Sequence, residues 1–327
     1  STGSFSLSPR RLWSKRAAVL RSACPDILPA APPTGATPAL NSRIAFVTDS
    51  ERPELWKGDQ LAADELARLG ITVEAAPWDD PKIDWARFAG VVTRSCWNYH
   101  LHAAAFRAWL DRLEALGVPM WNSAALIRWN MNKLYLRELQ ERGVQIVPTE
   151  FITADPVPRL VDLLAVRGWE EAVIKPLVSL GAHETHRVCR TSPGEAQAVL
   201  ERIVRAGGAM VQPFLREVQT AGEWSLIFVA GAFSHAVLKR PGDGDFRVQA
   251  QHGGQTIAAD PPNALVQGAR QTLAAVPGQT LFARIDGIAV DGAFLLMEVE
   301  LIEPDLFLGT DPAAARRLAI AIQELLS

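Results

Sequence analysis

Short apolar runs alternate with stretches of helical periodicity along the chain from Arg43. The run IAFVT predicts a buried strand, and the next stretch places apolar residues on one face of a helix that Gly70 would end. Alternation between Ile71 and Ala75 and the run GVVTR, which ends at Arg94, predict two more strands. This order of strand, helix, strand and strand predicts a small α/β layer with parallel pairing.

The pattern changes after about residue 145, where several short strands predict an α+β unit built around a small sheet. These strands are QIVPTEFI, AVIKP, HRVCR and AMVQPF. Beyond Leu215, longer apolar strands predict hairpins. Helices are predicted over 102–116, 123–142 with an interruption near Asn130, 157–167, 194–206 and 311–326.

Two acidic residues alternate with apolar residues in the segment LLMEVEL near the C-terminus. In a strand, Glu298 and Glu300 would share one face, and Val299 would lie on the other. The preceding strand offers Arg284 and Asp286. The turn between the two strands decides whether these residues join the acidic face.

The turn at Asp291-Gly292 allows two registers. A two-residue turn would pair Ile285 with Glu298 and place Asp286 on the opposite face. A three-residue loop over 290–292, with its glycine left-handed in a bulge, would shift the register by one residue. That shift would gather all the charged residues of the hairpin.

Three carboxylates on one strand face would repel one another unless cations lay between them. Asp286, Glu298 and Glu300 would then be ligands of a hard divalent ion, with Mg²⁺ as the natural candidate and Mn²⁺ as an alternative. The same pattern fits a solvated face whose acids only contribute to solubility. The hairpin alone does not decide between these two interpretations.

A lysine within an apolar run suggests that its ammonium group is paired with an anion. Lys175 ends the strand AVIKP, and burial of an unpaired lysine is costly. The next loop offers phosphate oxygens the backbone N–H groups and hydroxyls of Ser179, Gly181 and Thr185. Lys133, which opens a helix, is a second candidate, although either lysine alone is more typical of a surface residue with a buried stem.

Familiar nucleotide-binding motifs are missing from the sequence. The chain has neither GxxxxGK[ST] nor a GxGxxG that follows a strand. This argues against a P-loop NTPase and against a dinucleotide-binding dehydrogenase. A cationic strand and loop followed by a distant acidic hairpin still suits a Mg-nucleotide held between two small sheets.

Length and composition narrow the classes of protein. The 327 residues predict two or three domains, and 48% apolar with 21% charged residues is ordinary for a globular chain. The net charge of −3 argues against nucleic-acid binding, and the lack of a long apolar run argues against a membrane-spanning helix. Three widely spaced cysteines, Cys24, Cys96 and Cys189, fit a reducing cytoplasm.

The first forty or so residues differ from the rest. They hold five basic residues and one acidic residue, followed by a stretch rich in Ala, Pro and Thr. Such a segment cannot bury itself, so residues 1–42 are expected to be a disordered or loosely attached extension. An organellar targeting segment is the alternative that fits its Ser- and Arg-rich character.

These motifs together resemble the ATP-grasp superfamily from about Arg43 to the C-terminus. NMNKLYL, RSCWNY, VIKPLVSLGAHET, AGEWS and MEVELIEPDLF are most similar to its glutathione-synthetase-like members, especially the cyclo-ligases that act on O-ureidoserine in cycloserine biosynthesis. The resemblance implies an α/β (α+β) ATP-grasp fold. It would have a Rossmann-like pre-ATP-grasp domain over 43–130 and two α+β subdomains, over 131–213 and 214–327, that grip the nucleotide.

The resemblance also implies roles for single residues. Lys133 and Lys175 match the two nucleotide-binding lysines, the loop 179–185 matches the one that closes over the phosphates, and Arg284 matches an arginine near the reacting oxyanion. Glu300 stands where the family usually has Asn, which adds charge to the metal site. The other implied residues are Gln212, Pro213 and Phe214 beside the adenine, Glu217 near the ribose, and Asp286, Glu298 and Glu300 as metal ligands.

Candidates for substrate contacts lie at a strand end and in a cationic group. RSCWNYH follows the carboxyl end of a strand, where α/β sheets bind ligands, and it supplies Arg94 and Trp97. The cationic group could hold a substrate carboxylate or the γ-phosphate, and a solvated strand edge fits it equally well. Its members are Lys239, Arg240 and Arg247, and Glu223 in AGEWS is a further candidate.

The activity that the resemblance implies is ATP-dependent ligation of a small carboxylate to an amine through an acyl phosphate, with ADP and phosphate released. The substrate would be amino-acid-like, and ring closure within one molecule is an alternative to joining two. A phosphotransferase acting on a hydroxyl and a nucleotide-binding protein without turnover stay open. Composition does not fix the oligomeric state, and a homodimer stays among the expectations.

Overall fold

The described residues form three β-sheets that differ in strand direction. The computed structural model describes residues 42–242 and 253–327. One sheet is parallel throughout, and the other two have antiparallel neighbours. Helices cover these sheets, so the chain is a mixed α/β protein, in agreement with the sequence.

The first sheet and its helices form a layered α/β unit. Its elements are β1 (Arg43–Thr48), α1 (Lys57–Arg68), β2 (Thr72–Pro77), β3 (Gly90–Thr93) and α2 (Ala103–Leu116). The strand order is β2-β1-β3, and both pairings are parallel, as predicted. Ile44 and Phe46 share a core cluster with α1, whereas Ala45 and Val47 share another with α2. The central strand is therefore covered on both faces.

The second sheet carries two helices on one face. The elements of this part are α3 (Ala124–Asn130), α4 (Tyr135–Glu141), β4 (Glu150–Ile152), α5 (Leu160–Arg167), β5 (Glu171–Pro176), β6 (His186–Cys189), α6 (Ala196–Gly207) and β7 (Ala209–Pro213). The strand order is β4-β7-β5-β6. Leu164 of α5 and Leu200 of α6 are buried against Ile174 and Val211 of the sheet. The helix predicted over 123–142 is interrupted after α3, as the sequence indicated.

The third sheet is the largest of the described part. Its elements are α7 (Glu217–Thr220), β8 (Glu223–Val229), β9 (Ala232–Arg240), β10 (Gln255–Ala258), α8 (Asn263–Ala275), β11 (Phe282–Val290), β12 (Ala293–Glu300) and α9 (Ala314–Leu325). The strand order is β10-β9-β8-β11-β12. Leu226 and Ile285 share a core cluster with α8, whereas Ile227 and Phe282 share another with α9. Side chains thus alternate between two covered faces.

Helix α8 is an element that the sequence analysis does not predict. Its buried residues Leu265, Ala269 and Thr272 recur at helical spacing, but Gly268 at its centre lowers helix propensity. A Cβ at Gly268 would lie 2.5 Å from Cβ of Phe294 on β12. The glycine therefore lets the helix approach the sheet closely, which is a tertiary reason that local propensity does not reveal.

The turn of the β11–β12 hairpin has two residues. Val290 pairs with Ala293, and Asp291 and Gly292 have positive φ angles of 50° and 80°. The three-residue loop considered above is therefore wrong. By itself this turn would place Asp286 on the face opposite the glutamates.

A β-bulge in β12 brings the charged residues onto one face. The pairing shifts just after Asp286 and leaves Met297 without an opposite residue. Asp286 consequently pairs with Glu298, and Arg284 pairs with Glu300. All four charged side chains lie on one face, because each strand alternates from these pairs onward.

Gly287, next to the bulge, is expected not to tolerate a side chain. Its Cβ would lie 2.6 Å from the carbonyl oxygen of Leu295 and 2.5 Å from the ring of Phe294. Gly287→Ala should lower the free energy of unfolding by about 1–3 kcal/mol, as overpacking does, in urea denaturation. Gly309→Ala is the control, because its Cβ would meet only Leu61 at 3.7 Å. Equal losses in both variants would contradict the packing argument.

Side chains hold the outer edge of β12. The Asn130 amide donates to the carbonyl of Val299 at 2.8 Å and accepts from the N–H of Leu301 at 2.9 Å. The Tyr135 hydroxyl donates to the carbonyl of Val299 at 3.0 Å and accepts from its N–H at 2.9 Å. These bonds fix the backbone of the stretch that carries the two glutamates.

The three predicted segments, 43–130, 131–213 and 214–327, each contain one of these sheets. The boundaries between them stay a prediction. The predicted extension, 1–42, lies outside the described residues except for its last residue, and Arg247 also lies outside them. Within the described part of the chain, every helix is too short or too polar to cross a membrane.

Candidate functional site

A cavity of about 620 Å³ lies against the charged face of the β11–β12 hairpin. Cavities of roughly 300–1,000 Å³ are typical of small-molecule sites. Its wall combines residues of all three sheet-containing segments, and most of the predicted site residues belong to it. These are Trp97, Lys133, Lys175, Ser179, Gly181, Thr185, Gln212, Pro213, Phe214, Glu223, Lys239, Arg284, Asp286, Glu298 and Glu300.

Two lysines reach the cavity from separate elements. Lys133 lies between α3 and α4, where its ammonium group donates to the carbonyl of Ser179 and pairs with Glu298, both at 2.8 Å. Lys175 lies on β5 and donates to Oε1 of Gln212 at 3.3 Å. Burial lowers the pKa of Lys175, against the opposing effect of nearby carboxylates. Among the described residues, Lys175 has no carboxylate within ion-pair distance.

Arg284 and Lys239 neutralise carboxylates of the third sheet. Arg284 donates from Nε and Nη2 to the two oxygens of Asp286 at 3.0 and 2.9 Å, and it also pairs with Glu300. Lys239 pairs with Asp286 at 3.1 Å and with Glu223. Burial raises the pKa of Asp286, but Arg284 and Lys239 outweigh this effect and lower it to about 2. Asp286 is therefore a firmly ionised carboxylate with two cationic partners.

Glu300 carries negative charge that its surroundings do not fully compensate. Burial raises its pKa to about 7, Arg284 opposes the shift, and Asp286 and Glu298 add to it. A further cation beside Glu298 and Glu300 would relieve this repulsion.

Asp286 also has a neutral partner. The Ser225 hydroxyl donates a hydrogen bond to its carboxylate at 2.6 Å.

The three predicted metal ligands share a face without forming a three-ligand cluster. Among the described residues, no three His, Cys, Asp or Glu side chains lie close enough to hold one metal ion together. This corrects the expectation that Asp286, Glu298 and Glu300 act as one set. Mg²⁺, however, is commonly bound by one or two carboxylates plus phosphate oxygens of a ligand. Glu298 and Glu300 supply the two carboxylates that such a site needs.

The loop 177–185 follows Lys175 and lines the cavity with three predicted residues. Gly181, Ala182 and Glu184 have positive φ angles of 62°, 63° and 52°. Such turns can direct backbone N–H groups toward an anion. The ring of His183, in the same loop, lies 5.3 Å from the ring of His100, measured between ring centres. The loop thus contacts the segment that follows the first sheet.

His100 is expected to make the protein sensitive to mild acid. Burial, with a smaller contribution from His183, lowers its pKa from 6.5 to about 4. Between pH 6.5 and pH 4 this histidine binds a proton in the unfolded chain but not in the folded protein. Its contribution to the free energy of unfolding is therefore complete above pH 6.5 and falls as the pH is lowered toward 4. This group should account for at most about 3 kcal/mol of the decline.

His100→Gln is therefore expected to flatten the dependence of the free energy of unfolding on pH. Urea denaturation at pH 7.5 and pH 4.5 measures the difference between the two conditions. His102→Gln is the matched control, because His102 is exposed. A pH dependence unchanged by His100→Gln would rule out this source of acid sensitivity.

Part of the cavity wall is apolar. Residues 212–214, at the end of β7, line it together with Val173 and with Met297, the bulged residue of β12. The guanidinium carbon of Arg187 lies 3.8 Å from the centre of the Phe214 ring. An apolar surface beside the backbone of a strand end suits a flat aromatic ring.

Of the predicted residues that the structure describes, Arg94, Glu217 and Arg240 do not line the cavity. Arg94 is only 2% exposed, pairs with Asp59 of α1 at 2.8 Å and donates to the carbonyl of Pro304 at 3.0 Å. This corrects the expectation that Arg94 contacts substrate, since its charge is used within the core. Arg240 is exposed, and Glu217 begins α7.

Other residues of the cavity wall are not singled out by the sequence analysis. Glu303 and Asp305 line it, and they continue the acidic run MEVELIEPD beyond Glu300, where the strict alternation with apolar residues ends. Trp56 also lines it, with its ring centre 5.2 Å from that of Trp97. Trp56 lies in a loop before α1, where no periodicity marks it.

Two family models match the chain in consecutive stretches. Residues 44–122 match the N-terminal domain of D-cycloserine synthetase DcsG. Residues 132–294 match the ATP-grasp domain of prokaryotic glutathione synthetase. These matches contain the first sheet and most of the other two.

Individual relatives agree with the family models. Cycloserine biosynthesis protein DcsG from Streptomyces lavendulae is 32% identical over 300 residues, which is 86% of this chain and 98% of the relative. Glutathione synthetase from Prochlorococcus marinus (strain MIT 9313) is 28% identical over 285 residues, which is 82% of this chain and 87% of the relative. The crystal structure of D-cycloserine synthetase DcsG superposes with a TM-score of 0.79 at 28% identity, over 88% of this chain and all of that one.

These similarities confirm the predicted fold class and the resemblance to glutathione-synthetase-like proteins. The long match to DcsG covers both the parallel N-terminal layer and the two antiparallel sheets around the cavity. The chain belongs to the ATP-grasp family of ligases, in the group that includes cycloserine biosynthesis protein DcsG.

Proposed function

We propose that this protein is an ADP-forming ligase that activates a small carboxylate with ATP and joins it to an amine nitrogen. Membership of the ATP-grasp family supports ATP-dependent ligation of a carboxylate and an amine. The observation that carries the proposal is the cavity that brings Lys133 and Lys175 together with Arg284 and the two glutamates of β12. The same cavity thus contains cations that suit a triphosphate and carboxylates that suit a metal ion.

Lys133 and Lys175 would neutralise the phosphates of ATP. Both ammonium groups belong to the cavity wall, and Lys175 has no ion-pair partner in the described part of the chain. Hydroxyl and N–H groups of the loop 177–185 would add hydrogen bonds to the same oxygens. Electrostatic stabilisation of this kind is the main contribution that proteins make to phosphoryl transfer.

Glu298 and Glu300 would hold Mg²⁺ or Mn²⁺ together with phosphate oxygens of the nucleotide. Burial raises the pKa of Glu300 to about 7, and the nearby Asp286 and Glu298 add to this shift, so a cation beside Glu298 and Glu300 would be favourable. When bound, such an ion neutralises charge on the phosphates. Asp286 would instead hold Arg284 and Lys239 in place, because it pairs with both.

The proposed reaction has two chemical steps. A carboxylate oxygen of the substrate attacks the γ-phosphorus, the bond from that phosphorus to the β–γ bridging oxygen breaks, and ADP leaves. The amine nitrogen then attacks the acyl carbon, the carbon–oxygen bond to phosphate breaks, and the nitrogen loses a proton. Arg284, which lines the cavity, would stabilise the oxyanion that develops in the second step.

The substrate class follows from the relatives named above. One is a protein of cycloserine biosynthesis and another is a glutathione synthetase, so we propose small, amino-acid-like carboxylate and amine substrates for this chain. The higher identity to DcsG favours ring closure within one molecule, as in D-cycloserine synthetase, over the joining of two molecules. A cytoplasmic location and a homodimer stay predictions from the sequence.

A product analysis tests the proposed function. The protein, ATP and MgCl₂ would be incubated with small amino acids, O-ureidoserine and candidate amines, and nucleotide and phosphate products would be quantified. ADP and phosphate in equal amounts are expected, and hydroxylamine should trap the acyl phosphate as a hydroxamate. AMP with pyrophosphate would contradict the acyl-phosphate mechanism. A stable phosphorylated product formed without an amine would indicate a phosphotransferase instead.

A further inference from the structure

Glu303 is a buried acid in the cavity wall. Unlike most of the acids around it, it has no lysine or arginine within ion-pair distance among the described residues. It lines the cavity, is 6% exposed, and its Oε2 atom has no hydrogen-bond partner within the described residues. Four other cavity acids each pair with a lysine or an arginine. These are Glu223, Asp286, Glu298 and Glu300.

An unpaired carboxylate at this place is energetically unfavourable. Burial raises the pKa of Glu303 well above its usual value, Glu300 adds to the shift, and Lys133 opposes it. Glu298 and Arg284 act on it more weakly and in opposite directions. A buried acid in this state either keeps a proton or gains from a cation that enters the cavity.

The backbone around Glu303 is held at three consecutive carbonyls. The indole N–H of Trp97 donates to the carbonyl of Glu303 at 3.0 Å. Arg94 donates to the carbonyl of Pro304 at 3.0 Å, and Arg284 donates to the carbonyl of Asp305 at 3.1 Å. These bonds fix the backbone from which the Glu303 side chain extends, which limits the positions that its carboxylate can take.

The cavity wall also contains aromatic rings that suit a cation. Trp56, Trp97, Tyr99 and Phe307 all line the cavity. The ring centres of Trp56 and Trp97 lie 5.2 Å apart in an edge-to-face arrangement. Aromatic faces attract ammonium groups, and the attraction grows when water is excluded. Cations of the protein already approach two of these rings, since the guanidinium carbon of Arg52 lies 5.3 Å from the Trp97 ring centre and the ammonium nitrogen of Lys57 lies 5.4 Å from the Trp56 ring centre. The aromatic wall is therefore compatible with cations, and the carboxylate of Glu303 is the group that would bind an ammonium ion.

We propose that Glu303 binds the free ammonium group of the substrate and thereby selects amino acids over acids that lack an amino group. This inference rests on the proposed function, because it concerns the compound whose carboxylate is activated in the same cavity. The ammonium group would supply the positive charge that Glu303 lacks. Acids without an amino group would leave that carboxylate buried and unpaired.

Paired substrates and paired variants test the inference. ADP release would be measured with both enantiomers of each proteinogenic amino acid and with O-ureidoserine, each beside the des-amino acid of the same carbon skeleton. The natural protein is compared with Glu303→Gln, which keeps the shape of a protonated glutamic acid. Glu141→Gln makes the same change at an exposed helix end and serves as the control.

The natural protein is expected to use amino acids with kcat/KM about 100-fold higher than their des-amino counterparts, the usual cost of leaving a buried charge unpaired. In Glu303→Gln this ratio should fall to within about threefold of one, while the Kd of ATP measured by calorimetry stays within about twofold of the natural value. Glu141→Gln should change neither quantity.

Other results overturn the inference. If Glu303 were only a protonated acid of the core, Glu303→Gln would leave the ratio unchanged, because the amide imitates that form. Equal use of des-amino acids by the natural protein, or no stimulation by any amino acid while ATP still binds, would also refute it without touching nucleotide binding. Failure of the natural protein to bind ATP would refute the proposed function, and the inference with it.

Discussion

Replacing Lys175 with methionine is expected to lower kcat/KM for ADP release about 100- to 1,000-fold, the usual effect of losing one electrostatic contact to the transition state. Lys175 lines the cavity and donates only to Oε1 of Gln212, at 3.3 Å, among the contacts of the described residues. Its positive charge is therefore available to a phosphate. Lys133 differs, because it already pairs with Glu298 and with the carbonyl of Ser179.

The same substitution is expected not to destabilise the protein. Burial lowers the pKa of Lys175, which means that the folded state disfavours the charged form of this side chain. Methionine keeps most of the apolar stem and removes the charge. The free energy of unfolding without nucleotide should consequently stay the same or rise. Loss of activity with retained stability is the combination expected of a residue held ready for a ligand.

Steady-state ADP release and urea denaturation measure the two effects of Lys175→Met. Lys82→Met is the control, because Lys82 is exposed and does not line the cavity. The control should change neither quantity. A variant with less stability and undiminished turnover would show that Lys175 supports the fold and does not act on phosphate.

The acidic hairpin shows how far sequence alone can position a site. The alternation in LLMEVEL correctly places Glu298 and Glu300 on one face, because the pleat of a strand fixes a period of two. The two-residue turn has a local signal, because Asp291-Gly292 suits a turn with positive φ at both positions. The bulge at Met297 has none, and it lies where the ring of Phe294 occupies the space beside Gly287. A bulge leaves no periodic pattern in a sequence, so the sequence predicts the shared face of the charged residues only through a three-residue loop that the structure does not have.

Burial of charged residues is the other aspect that the sequence does not reveal. Arg94 follows a strand end, where ligands often bind, yet Asp59 of α1 and the carbonyl of Pro304 hold it in the core. Its partners lie 35 and 210 residues away along the chain. The interruption after Asn130 and the strands around Lys175 could be predicted, because they depend on local composition.

The charged residues of the third sheet form one connected network. Glu223 pairs with Lys239, Lys239 pairs with Asp286, Asp286 pairs with Arg284, and Arg284 pairs with Glu300. Buried ions in such a network depend on one another, because each is costly to leave without its partner. A change at Arg284 should therefore affect the fold as well as the reaction.

Arg284→Met is expected to lower the free energy of unfolding by about 3–5 kcal/mol at pH 8, because it leaves Asp286 and Glu300 buried without their shared cation. The loss should be smaller at pH 6. Glu300 already has a pKa of about 7, which would rise further without Arg284, so at pH 6 the acid takes up a proton and needs no partner. Urea denaturation at the two pH values measures the difference. Arg316→Met, at an exposed position, is the control.

A double variant separates charge from packing in this prediction. If unpaired charge causes the loss, adding Glu300→Gln to Arg284→Met should recover about 1–3 kcal/mol of the stability lost at pH 8, the usual coupling between residues in direct contact. The same addition should recover little at pH 6, because Glu300 is then protonated. Strictly additive losses at both pH values would mean that the unpaired charge of Glu300 does not cause the loss. The loss would then come from Asp286, from the apolar stem of Arg284 and from its contact with Asp305.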